Sequence, residues 1–155
     1  MDRIIQFFKK MNLYNEAYFS KIQEKTKIYN FSYEEIKNFI GCYPIYNEKE
    51  EVIDFKMILP KIYSFCDELI YVHEYTHAFD LEDHSEIFPN IMEAYYICMY
   101  IHDVNLELEM LSDMKRKIRY IEDINHRIGV QIKIMIMEEN IYGIRSKNKR
   151  CYFKK

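Results

Sequence analysis

The sequence predicts an α+β fold: a mainly helical single domain with a small antiparallel sheet beside one central helix. Three observations carry that prediction. Apolar residues recur at three- and four-residue intervals over long stretches, the pattern of amphipathic helices. Two short apolar runs separated by a polar turn, residues 43–46 and 52–59, read instead as paired strands. Only three Gly and three Pro interrupt 155 residues that are 49% hydrophobic and 30% charged, a composition that excludes general disorder and supports one packed core. The expected layout places N-terminal helices and the sheet in residues 1–65, a helix pair in 66–103, and a helix, a strand hairpin and a basic tail in 104–155.

The first helix follows from Ile4, Phe7, Phe8, Met11, Tyr14, Ala17, Tyr18 and Ile22, which form one apolar stripe over residues 3–24. Ser32 and Glu35 have capping-box spacing, so a short helix should run from there to about Ile40, with Gly41 placed to end it. Pro44 lacks an N–H and therefore assigns the first strand to a sheet edge, and Pro60 stops the second. Ser64 and Asp67 repeat the helix-start signal, and no Gly or Pro follows until well past Leu81. After the polar break Asp83, His84 and Ser85, Pro89 suits the first turn of a helix reaching about His102. Residues 106–124 carry Leu108, Leu111, Met114, Ile118 and Ile121 on one stripe, with the basic run Lys115 to Arg119 as a solvated face. From Val130 the pattern alternates, Val130, Ile132, Ile134 and Ile136 against Gln131, Lys133, Met135 and Met137, which favours a strand hairpin turning at Glu138, Glu139 and Asn140.

A net charge of −3 does not point to a nucleic-acid partner, although six basic residues crowd into positions 145–155. The four cysteines show no CxxC pair, and Cys66 and Cys98 fall in apolar helical segments where buried, reduced thiols are expected. Arg3, Lys9 and Lys10 break the N-terminal apolar stretch, so neither a signal peptide nor a membrane span is expected, and a cytoplasmic protein is.

The helix opened by Ser64 contains His73-Glu74-Tyr75-Thr76-His77, an HExxH motif. Residues four apart share one helix face, so both imidazoles can converge on one ion, Zn²⁺ being the natural choice, while Glu74 can accept a proton from a metal-activated water. The alternative is a core helix whose histidines merely hydrogen-bond to neighbours. A catalytic zinc site needs a third protein ligand, and two acidic residues follow at a useful distance. Glu93, two turns into the next helix, lies level with His77 if the chain reverses after about Glu82, and it is the first choice. Glu86 would need a tighter reversal, and as a residue of a first helical turn it also suits the helix dipole.

HExxH followed on the next helix by a ligand Glu resembles the gluzincin metallopeptidases, and Met92-Glu93-Ala94 is similar to the Glu-Ala step of thermolysin-like members. The stretch from Glu86 through Pro89 to Glu93 also resembles the oligoendopeptidase pattern, in which Glu86 would be the ligand. The resemblance covers about residues 66–103 and implies a minimal zincin-like fold that hydrolyses peptide bonds in a peptide or protein substrate. A donor for the developing oxyanion is expected from His126, Tyr142, His84 or His102, in that order. Two other classes fit the sequence: a zinc-binding regulatory module without turnover, and a small nucleic-acid or partner-binding protein using the basic C-terminal tail.

Overall fold

Capping residues set the helix boundaries in a computed structural model that describes residues 1–152, with side chains described through Gly143. The chain divides into two compact units, Met1–His84 and Ser85–Lys155. Among the described residues the fold is α+β, mostly helical with a three-stranded sheet. No helix there is long and apolar enough to cross a membrane.

In the first unit the expected single N-terminal helix is two, α1 (Asp2–Lys10) and α2 (Glu16–Lys25). The apolar stripe continues through the break, but Asn12 takes a left-handed φ of 57° and the Asn15 side chain caps α2 by accepting from the Tyr18 amide. A strand unforeseen in the sequence, β1 (Thr26–Tyr29), follows α2 directly. The capping box of Ser32 and Glu35 opens α3 (Tyr33–Ile36), and Gly41 starts β2 (Gly41–Tyr46) instead of ending that helix. The hairpin partner is β3 (Val52–Pro60). Strand order is β1-β3-β2, with β2 antiparallel and β1 parallel to β3, so the sheet is mixed rather than purely antiparallel. Pro44 does lie on an edge strand.

The motif helix is α4 (Phe65–Phe79), opened by a complete Ser64–Asp67 capping box and ended at Asp80, sooner than the periodicity indicates. Its Tyr71, Val72, Tyr75 and Ala78 are buried with Ile4, Phe7, Phe8, Phe19 and Ile22 of α1 and α2 and with Phe55, Met57 and Leu59 of β3. Aromatic rings dominate this core: Phe19 meets Phe8 at 5.2 Å and Tyr75 at 6.0 Å, both edge-to-face. Tyr71 donates to the Pro60 carbonyl at 2.8 Å, which satisfies its buried hydroxyl. Cys66, expected in the core, is exposed because it shares the helix stripe of Ile70, His73 and His77 and not that of Val72 and Tyr75.

The second unit is helical: α5 (Ile87–Tyr100), α6 (Val104–Lys117), a 3₁₀ turn (Ile118–Tyr120) and α7 (Ile124–Tyr152). The expected strand hairpin from Val130 is therefore overturned. Val130, Ile134, Met137 and Ile141 are the buried apolar side chains, at intervals of four, three and four, and they pack α7 on α5 and α6. Ile132 and Ile136, which completed the apparent alternation, are only half-buried, and Met is helix-favouring, so packing decides in favour of the helix. The basic tail lies outside the residues whose side chains are described.

Glu107 of α6 is 3% exposed, with Asn140 of α7 donating to it at 3.4 Å. Burial pushes its carboxyl above the ordinary Glu value, more strongly than the Asn140 bond and the His102 charge lower it. A raised folded-state value means that the folded chain holds this proton more tightly than the unfolded one. Its contribution to stability is thus present below pH 4.5 and lost as pH rises through the folded-state value. Glu107→Gln, which keeps an acceptor for Asn140, should raise the neutral-pH melting temperature and leave it unchanged at acid pH, as followed by circular dichroism.

Candidate metal centre

The two histidines sit on the half-buried stripe of α4, opposite the face packed on the aromatic core. His73 Nε2 and His77 Nε2 are 3.2 Å apart, with ring centroids 4.9 Å apart. Two nitrogens on one tetrahedral zinc, each at about 2.0–2.1 Å, are separated by about 3.4 Å. The observed spacing is close to that geometry. Thr76, between them on the buried side, donates its hydroxyl to the Val72 carbonyl at 2.6 Å, and the α4 capping box fixes the helix start, so the stripe is held from both ends.

Among the described residues the group of side chains able to hold a metal ion is His73, His77 and Glu86. Glu86 is the residue that precedes α5, and its backbone carbonyl accepts from Asn90 Nδ2 at 2.7 Å. Gly129 of α7 packs against this point: a Cβ there would lie 2.5 Å from the Glu86 carbonyl oxygen and 3.1 Å from Asn90 Nδ2. Only Gly permits that approach. Gly129→Ala should cost the second unit about 1–3 kcal/mol, read by urea unfolding, because a backbone atom cannot yield as a flexible side chain can.

Glu93, the first choice as third ligand, is paired with Lys133 of α7, both side chains nearly buried at 12% and 10% exposure. Their ion pair joins α5 to α7. The signal that could have found it was Lys133 itself, a lone cation beside Val130, Ile134 and Met137 on the buried stripe.

Glu74 faces the sheet. Its carboxylate accepts from the Cys42 amide of β2 at 2.9 Å, a partner set by the packing of α4 on the sheet and by no local sequence signal. Cys42 itself is held as a neutral thiol, pushed up to about 12 by burial first and by the Glu74 charge second. His84 is exposed, its Nε2 3.2 Å from the hydroxyl of Tyr46 at the end of β2. His126 is half-buried in the first turn of α7, where its amide donates to Asp123 Oδ1 at 2.6 Å, and Tyr142, 53% exposed, lies on the same helix rather than on a strand. His102 is exposed just before α6.

No protein-family model, curated protein or solved structure matches the chain. The donor set, two imidazoles and a carboxylate, is of the kind that can hold a metal ion.

Proposed function

We propose that this chain is a zinc-dependent metallopeptidase in which His73, His77 and Glu86 hold the ion and Glu74 is the general base. The observation that carries the reading is the 3.2 Å separation of the two imidazole nitrogens on α4, with the Glu of the motif turned toward an edge strand. A bound zinc supplies Lewis acidity and a water acidified into the neutral range. Glu74 takes the proton from the attacking water and returns it to the leaving amine. The Cys42 amide of the edge strand β2 holds the Glu74 carboxylate in place through its hydrogen bond. His84 and Tyr46, on elements of the same unit as Glu74, are the candidates there for an oxyanion donor, ahead of His126 and Tyr142. The free thiols of Cys42, Cys66 and Cys98 suit a reducing compartment, so the reading includes a cytoplasmic location.

Zinc content by elemental analysis, together with cleavage of a mixed peptide library, tests the proposal. About one zinc per chain and cleavage blocked by a chelator are expected. Folded, unchelated protein without zinc would return both histidines to a structural role. Zinc without cleavage of any peptide would favour a binding module.

A further inference from the structure

Three lysines of the first unit lie over tyrosine rings, two of them on the outer face of the sheet and the third just past the end of β3, and none has a carboxylate partner among the described residues. Register defines the face. Phe55, Met57 and Leu59 of β3 are buried, so the alternate residues Lys56 and Ile58 point the other way. Tyr43 pairs with Lys56, and Lys27 with Ile58, which puts all four on that outer face, with Tyr29 two residues beyond Lys27. Lys27 Nζ is 4.9 Å from the Tyr29 ring centroid and Lys56 Nζ is 5.9 Å from that of Tyr43. Just past β3, Lys61 Nζ is 5.5 Å from the Tyr63 ring, and the Lys61 amide donates to the Tyr29 carbonyl at 3.0 Å, which ties this third pair to β1.

Charge and apolar surface are distributed in a way that identifies an occupant. Asp54 is the one acid on the three strands, and it is already neutralised by Lys25 at 2.6 Å and Lys21 at 3.8 Å. The face is thus locally cationic on a chain of net charge −3. Tyr43 and Tyr63 are 37% and 66% exposed, and the Tyr43 hydroxyl, donating to the Phe39 carbonyl at 2.9 Å, extends the aromatic surface to Phe39.

We propose that this outer sheet face, together with the segment that follows β3, binds single-stranded nucleic acid, its phosphates met by Lys27, Lys56 and Lys61 and its bases by the rings of Tyr29, Tyr43 and Tyr63. A cation beside each ring matches a polymer in which each unit carries one negative charge and one planar group. A duplex keeps its base faces stacked inside and would meet only the lysines.

The test is fluorescence anisotropy of a labelled ten-nucleotide oligothymidylate, its oligouridylate counterpart and a duplex of the same length, titrated with the full chain over a range of salt. Saturable binding of the single strands is expected, with log affinity against log salt falling at a slope of about −2, as three phosphate contacts require. Tyr43→Ala and Tyr63→Ala should each weaken binding about tenfold. Lys56→Gln, an exposed change, should flatten the slope by about 0.7, and circular dichroism checks that every variant folds. Lys147→Gln with Lys149→Gln should change little. Absence of single-strand binding at low salt, equal or tighter duplex binding, wild-type affinity in both tyrosine variants, or loss confined to the tail variant would each overturn the proposal. So would binding of anionic phosphatidylserine vesicles or an acidic peptide in place of the oligonucleotides.

Discussion

Replacing Glu74 with Gln is expected to lower kcat/KM for peptide hydrolysis about 10²–10⁴-fold while zinc stays bound at wild-type stoichiometry. The substitution is nearly isosteric. A Gln side-chain oxygen still accepts from the Cys42 amide, so the link that joins α4 to β2 survives and the helix keeps its register on the sheet. What is lost is the ability to take up a proton from the attacking water and to pass it on to the leaving amine. Glu74 is not one of the three proposed ligands, so metal content separates a chemical defect from a structural one. The measurement is a side-by-side comparison of steady-state cleavage and zinc per chain, with thermal melting as the control. A Glu74→Gln protein that cleaves as well as the wild type would remove the general-base role. One that loses zinc as well would place this carboxylate on the ion.

The sequence was most legible where local chemistry decides structure. Ser32 with Glu35 and Ser64 with Asp67 are reciprocal capping boxes that need no distant partner, and both are present at the ends of α3 and α4. Pro44 marks an edge strand because a missing N–H cannot serve a ladder on both sides. Legibility failed where packing arbitrates. Residues 130–137 alternate on paper, yet Val130, Ile134 and Met137 are the positions that the faces of α5 and α6 cover. Ile and Met suit either period, so only the partner surface selects one. The break between α1 and α2 was hidden for a related reason: the stripe from Met11 to Ala17 stays in phase, while the stop comes from Asn12 and Asn15, one through a left-handed backbone and the other through a side-chain cap. The convergence of His73 and His77 was readable because residues four apart share one helix face. Which glutamate could join them was not, since that depends on what else each one meets.

That dependence makes the two glutamates separable by experiment, because their removal should damage different properties. Glu86→Ala is expected to weaken zinc binding by more than about 100-fold, beyond the effect of removing a supporting group, and to change the stability of the metal-free protein little. Glu86 contributes to the start of α5 through its backbone carbonyl, which Asn90 engages and which the substitution leaves in place. Glu93→Ala should do the reverse. It strands the Lys133 ammonium, 8% exposed as a residue, among Val130, Ile134 and Met137, at a cost of about 3–5 kcal/mol, while zinc affinity holds. A competition titration against a chromophoric chelator reads the first property, and urea unfolding of the chelated protein reads the second. Exchanged outcomes would make Glu93 the ligand. The paired variant Glu93→Leu with Lys133→Met adds a sharper discrimination: if the pair only joins α5 to α7, an apolar replacement of similar volume restores stability and leaves the zinc titration unchanged. If Glu93 also serves the ion, stability returns and zinc affinity does not.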